Sequence, residues 1–338
     1  MIRSCSRGAA LLDFVQEYDY NRVTIYHNGF GTVPFDFVWP FGASFLPGVK
    51  TITIEPGMVN SLQGFEHAIT AVGATLIVDD NFLTSLSGLP TATDLVVSAD
   101  NNEITSLAGL SADSKWKSLS LKNNGLTSLS GIYKLRNTLK TLDVRENQLT
   151  ALKGIRFVPF LETLDVSNNE ITSLEYFSAN KKLKFLSVGE NNIISLEGIQ
   201  VLEGTLKTLD VSRNGLLTDF SLVPTSVETL FAGATKLAVG QLANLPNLKH
   251  LYVSKVAGFN LIELPLFNGL TRLHANKNKI TSLSHLSNPG FEGLEELYLN
   301  NNKIDDLEPI SSILPTLKQL QVADNRLQSL DVLVDQWG

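Results

Sequence analysis

The chain has 338 residues, 43% of them hydrophobic and 18% charged, and a net charge of −7. That composition supports a continuous apolar core, offers no stretch near the length of a membrane span, and lacks the concentrated basic face that would make nucleic acid the expected main partner. A lone cysteine, Cys5, allows no internal disulfide.

Residues 1–48 are rich in aromatics (Phe14, Tyr18, Tyr20, Phe35, Phe37, Trp39, Phe41, Phe45) and are expected to form an N-terminal cap over the exposed edge of the core downstream. The opening residues carry early positive charge, but Asp13 interrupts their apolar run too soon for a signal peptide. No Asn-x-Ser/Thr sequon occurs despite the abundance of Asn. Together these features predict a cytoplasmic protein.

From residue 49 to 333 one phrase dominates: Leu-x-x-Leu-x-Leu-x-x-Asn-x-Leu, with Val, Ile or Phe allowed for Leu, returning every 21 to 24 residues. Weak copies come first, at Tyr20-Val23-Ile25-Asn28-Phe30 inside the cap and at Val49-Ile52-Ile54-Gly57-Val59. The Asn then recurs at Asn81, Asn102, Asn124, Asn147, Asn169, Asn191 and Asn214, and again at Asn278, Asn302 and Asn325. Between these blocks the apolar frame continues but Thr235 and Val256 take the Asn position. The count is about fourteen units. In each, the alternation Leu-x-Leu predicts a short strand with its Leu side chains inward, and stacked strands form one parallel sheet. The Asn falls where the chain must turn, where its amide can satisfy backbone groups left by the bend. Further apolar residues, such as Leu152 and Ile155 or Leu174 and Phe177, close the convex side over too few residues for a full helix, so extended or 3₁₀ segments are expected. Leu330 and Leu333 complete the last such segment, leaving a short C-terminal end at 334–338. There either Trp337 folds back over the last repeat, or the chain is a piece of something longer.

Because the strand fixes which residues face outward, the concave surface can be read directly. The column between the two strand Leu positions runs Ile77, Ser98, Ser120, Asp143, Asp165, Ser187, Asp210, Phe231, Tyr252, His274, Tyr298, Gln321. It is small and acidic first, then aromatic. Strands about 4.8 Å apart should join Phe231, Tyr252, His274 and Tyr298 into a ridge, flanked by His250 and Arg272 one column away. Clustered aromatic residues and Arg are the composition of a protein-binding hot spot, so Phe231, His250, Tyr252, Arg272, His274 and Tyr298 are the expected partner-binding residues. A cross-strand ladder that only stabilises the sheet is the competing account. The acidic column reads as a solvated face in preference to a site for a basic partner or cation. Of five histidines only His250 and His274 come from adjacent units on one face, and no further zinc ligands accompany them. The sequence holds no Gly-rich phosphate loop, His-Glu-x-x-His, Gly-x-Ser-x-Gly or paired cysteines. No cofactor, no metal and no catalytic residue is expected.

The copies Leu-Lys-Thr-Leu-Asp-Val-Arg-Glu-Asn-Gln-Leu at 139–149 and Leu-Glu-Thr-Leu-Asp-Val-Ser-Asn-Asn-Glu-Ile-Thr-Ser-Leu at 161–174 resemble the 22-residue class of leucine-rich repeats, which includes the protein phosphatase 1 regulatory subunit of this type and the bacterial internalins. The resemblance implies an α/β solenoid, a leucine-rich repeat horseshoe with a parallel concave sheet and short 3₁₀ or extended convex segments. It also implies a non-catalytic scaffold that grips a protein partner in its concave face. No partner-contact motif of either group carries over residue by residue. The leading expectation is a regulatory or targeting subunit. The alternative is the ligand-sensing region of a truncated receptor or receptor-like kinase; a third reading, an enzyme whose catalytic part lies elsewhere, has no residue in its favour.

Overall fold

The computed structural model describes residues 22–25, 35–36, 49–63, 65–67 and 69–337. Most of the expected N-terminal cap, with Cys5, therefore lies outside the described residues. The chain divides into two compact units, Met1–Glu170 with Ser178–Lys182, and Ile171–Phe177 with Leu183–Gly338.

In the first unit the strands Arg22–Ile25, Thr51–Ile54, Thr75–Ile77, Thr93–Ser98, Lys115–Ser120, Thr141–Asp143 and Thr163–Asp165 lie side by side in chain order, each parallel to the next. In the second, Phe185–Ser187, Thr208–Asp210, Thr229–Phe231, His250–Tyr252, Arg272–His274, Glu296–Tyr298 and Gln319–Gln321 do the same. These strands match the expected units one for one, including the weak copies at 20–30 and 49–59. A parallel strand cannot follow its neighbour by a tight hairpin; here a return path of about twenty residues makes each crossover, and its brevity keeps every strand short. The middle residue of most strands is buried and its neighbours are half-exposed, as at Thr141–Asp143. A second, small sheet pairs Phe35–Asp36 with Val59–Ser61.

The return paths carry 3₁₀ turns, among them Ile132–Leu135, Ile155–Phe157, Ile199–Leu202, Val239–Asn244 and Glu308–Ile310. Their apolar residues close the core: Leu152, Ile155, Leu174 and Phe177 are all fully buried. Glycine often opens these turns for a steric reason. A Cβ at Gly88 would sit 2.1 Å from the Leu62 carbonyl oxygen, and one at Gly198 would sit 2.2 Å from that of Leu174, with both glycines also at positive φ.

The framework Asn residues stitch repeat to repeat through the backbone. Asn147 Oδ1 accepts from Leu126 N at 2.9 Å, while its Nδ2 donates to the carbonyls of Leu121, Val144 and Arg145. Asn169 and Asn302 repeat the pattern. Immediately before each Asn the chain enters the left-handed region, from Asp80 (φ 56°) to Asp324 (φ 55°), which turns the strand out of the sheet. Where the Asn is lost the stitching changes. Thr235 Oγ1 donates to Ala232 O at 2.7 Å and accepts from Leu237 N at 3.3 Å within its own turn. Val256 supplies no polar group, and its own N–H bonds Asn278 Oδ1 at 2.9 Å. The irregular frame at these two repeats is thus a local rerouting of backbone hydrogen bonds around an unbroken core, with both side chains buried.

At the C-terminal end, Asp331–Trp337 forms a short α-helix. The last strand is half-exposed along its core side, and Leu330 is 52% exposed.

Candidate functional site: an aromatic ridge

The second unit brings the expected residues together. Strand register places Phe231 beside Tyr252, Tyr252 beside His274, and His274 beside Tyr298. Phe231 and Tyr252 stack with centroids 4.2 Å apart at 12°, Tyr252 meets His274 edge-on at 4.6 Å and 79°, and His274 stacks on Tyr298 at 3.9 Å and 15°. The ridge is continuous, and its rings are half-buried because each covers the next. The Tyr298 hydroxyl donates to Gln319 Oε1, which pins that ring at the end of the row.

The adjacent column is also internally bonded. His250 Nδ1 shares a hydrogen bond of 3.0 Å with Thr229 Oγ1. Arg272 Nε sits 2.9 Å from Glu296 Oε1, its register partner on the next strand, so Arg272 is half of an ion pair in the column alongside the ridge. Glu296 Oε2 lies 3.5 Å from His274 Nε2 without hydrogen-bond geometry. Glu296 is therefore the hub of the site, accessible to sequence reasoning only as a neighbour in its column.

Burial holds both imidazoles below the usual value near 6.5: for His250 it acts with the nearby Arg272 charge, and for His274 it outweighs the opposing pull of Glu296. A base whose folded pKa is depressed favours its neutral form in the fold. Its stabilising contribution is complete above the unfolded pKa and is lost as pH falls through the folded value. The thermal midpoint is therefore expected to drop between pH ~7 and ~5.5, and the drop to be smaller in the His274→Gln variant. Equal drops measured by calorimetry in the two proteins would exclude His274 as the source.

The acidic members of the column serve local structure. Asp165 Oδ1 accepts from Ser167 N and Oγ at 2.9 and 2.6 Å, and Asp210 does the same for Ser212. Asp143 accepts from Arg145 N and pairs with its guanidinium at 3.2 Å; burial raises its pKa. Each carboxylate thus holds the chain two residues ahead, at the turn out of the strand. Among the described residues no group of three or more His, Cys, Asp or Glu side chains is placed to hold a metal ion, and no helix is long and apolar enough to cross a membrane.

Comparison with known proteins fits this architecture. The family described as Leucine Rich repeats (2 copies) matches residues 159–204, 268–312 and 292–335. Among curated proteins, none matches the sequence. Among solved structures, an internalin, InlF, from Listeria monocytogenes is similar at 20% identity and a TM-score of 0.67, over 78% of this chain and 84% of that one. A leucine-rich repeat protein of Leptospira interrogans is similar at 22% identity and a TM-score of 0.62, over 86% of this chain and 76% of that one. TLR13, in a TLR13–ssRNA13 complex, is similar at 19% identity and a TM-score of 0.67, over 91% of this chain but 47% of its own. At such identities the likeness is one of fold.

Proposed function

The chain is a leucine-rich repeat protein, and from that premise we propose that it is a non-catalytic interaction module, a regulatory or targeting subunit of the cytoplasm, whose protein partner seats on the ridge of Phe231, Tyr252, His274 and Tyr298. The observation that carries this reading is the change in one outward column. In the first unit and at Ser187 and Asp210 the positions are mostly small or acidic, and the carboxylates are engaged in turn bonds. From Phe231 to Tyr298 every position is a ring.

The frame itself does not require rings there, since the same strands form with Ser and Asp. Aromatic side chains with little rotamer freedom left, fixed on rigid strands, are the anchors that protein interfaces use. His250 and the Arg272–Glu296 pair supply a polar rim beside them. The lone cysteine and the lack of sequons support the cytoplasmic setting.

The test is the double variant Tyr252→Ala/Tyr298→Ala, compared with Asp143→Asn on the first unit's face. Loss of the ring contacts is expected to lower stability by about 0.5–1.5 kcal/mol per pair, with the far-ultraviolet spectrum unchanged. Recovery of the main protein captured from the source cell's extract should be abolished by the tyrosine variant and kept by the control. Unchanged recovery would reduce the ridge to a structural ladder.

A further inference from the structure

We propose that the partner presents an acidic polypeptide segment, held by a basic edge that borders the ridge; this rests on the ridge being the docking face and adds the chemistry of its occupant. The turns leaving the second unit's strands carry Lys236, Lys255, Lys277, Lys279, Lys303 and Arg326, all exposed. Backbone bonds hold these turns in register, with Lys255 N donating to Asn276 O at 3.0 Å and Lys277 N to Asn300 O at 2.9 Å. Lys255 follows Tyr252, and Lys277 follows His274, by three residues through the turn that ends the strand, so each lysine's backbone lies within about 10 Å of its ring's backbone, the length that an extended chain would reach. Asp305, Asp306 and Asp324 are the carboxylates at the far end of this edge, and Glu190 holds the same turn position at the start of the unit, before Asn191.

Three features separate this edge from an ordinary solvated surface. Among the described residues, Lys236, Lys255, Lys277, Lys279, Lys303 and Arg326 take part in no ion pair, whereas Arg213, at the equivalent turn position before Asn214, is paired with Glu190 at 3.4 Å and so lies outside this edge. On the opposite flank, where the strands begin, the charges neutralise one another: Glu228 lies 2.9 Å from Lys207 and 2.7 Å from Lys249, whose hydrogen bonds hold its pKa down to about 2. The equivalent turns of the first unit carry Asp80, Asn101, Asn123, Glu146 and Asn168 before the framework Asn, a neutral or acidic edge in keeping with the net charge of −7. Finally, Lys255, Lys277 and Lys279 adopt φ of 61°, 61° and 64°, a conformation that Asn tolerates better than Lys. Local backbone preference does not explain lysine there.

The ridge itself favours a polypeptide over a nucleic acid. Base recognition by aromatic residues needs an open ring face. Here Phe231 and Tyr252 cover each other, as do His274 and Tyr298, so the row presents mainly ring edges. Ring edges and phenol groups suit apolar and hydrogen-bonding side chains, while the lysines attract carboxylates and speed encounter.

The probe is a random copolymer of glutamate and tyrosine, with a lysine and tyrosine copolymer and a uridine homopolymer for comparison. The full chain is expected to bind the glutamate polymer in preference to the other two, and to lose that binding as salt rises. Lys255→Glu/Lys277→Glu should weaken it by about tenfold or more. The control Lys115→Glu/Lys117→Glu, on the first unit, should change it by less than about twofold. Folding is not at risk in the test variant, because Glu146 and Glu190 already occupy the same turn position at φ of 56° and 54°. Equal effects of the two reversals, or preference for the uridine polymer, would overturn the proposal. Loss of binding in Tyr252→Ala/Tyr298→Ala but not in Lys255→Glu/Lys277→Glu would keep the ridge and overturn the acidic partner. The converse would keep the basic edge and remove the ridge.

Discussion

Asn169→Ala is expected to lower unfolding stability by about 2–4 kcal/mol, because it strands buried backbone groups that cost roughly 1–3 kcal/mol each when unpaired. Asn169 is 8% exposed. Its Oδ1 accepts from Leu149 N at 2.9 Å, and its Nδ2 donates to Val144 O and Val166 O at 3.0 Å and to Ser167 O at 3.2 Å. One amide therefore serves the preceding repeat and its own turn together. Asn169→Thr should lose less, since the chain already contains the threonine solution: Thr235 donates to Ala232 O and accepts from Leu237 N without reaching the preceding repeat. A denaturant series on wild type and both variants checks the order. A loss below about 1 kcal/mol for alanine, or equal losses for the two, would mean that the stitching is dispensable.

Trp116→Leu is the second large effect, although it restores the repeat's preferred residue. Trp116 occupies the first Leu position of its unit, is completely buried, and donates from Nε1 to Pro90 O at 2.7 Å. Leucine would leave a void and a buried carbonyl without its donor. Replacing a core Trp by Ala costs about 3–5 kcal/mol, and leucine refills only part of that space, so a loss of about 2–4 kcal/mol is expected. Trp116→Phe separates the two causes, since it keeps most of the volume and removes only the hydrogen bond. Thermal or chemical unfolding of the three proteins reads the difference directly. A leucine variant as stable as wild type would show that the first unit tightens around the smaller residue.

These variants mark which parts of the structure were legible in sequence. Strand positions followed from the alternation around residues such as Leu142 and Leu164, because period two has one structural meaning where a core lies on one side only. The ridge followed too, since parallel register turns a column of letters into a row of neighbours, and Phe231, Tyr252, His274 and Tyr298 meet as expected. What register does not reveal is the rotamer each side chain adopts. Arg272 turned out to be committed to Glu296, and His274 is sandwiched and only partly exposed. The basic edge was hidden for a different reason. Lys255 and Lys277 lie beyond the strand, where the left-handed turn decides the direction of the side chain and strand periodicity has already ended. The glycines at the start of convex turns, as at Gly88 and Gly198, lie outside the repeated phrase, and their close approach to the preceding repeat is seen only in the structure.

The same contrast organises the functional reading. Residues that recur faithfully, Leu and Asn, are consumed by core and turns, as Asn147 and Asn169 show. The positions free to vary are the outward columns and the turn exits, and both change character within the second unit: rings along one from Phe231 to Tyr298, cations outside its ion pairs along the other from Lys236 to Lys303. Fold and site thus rest on different residues of the same repeat.

The most direct test of the ridge as docking face is site-specific photocrosslinking. Benzoylphenylalanine introduced at Tyr252 keeps a ring in the row, and the same residue introduced at Asp143 samples the equivalent column of the first unit. Irradiation in the source cell's extract is expected to give a discrete protein adduct from position 252 and none from position 143. An adduct from position 143 alone, or none from position 252, would contradict the assignment of the partner to the ridge.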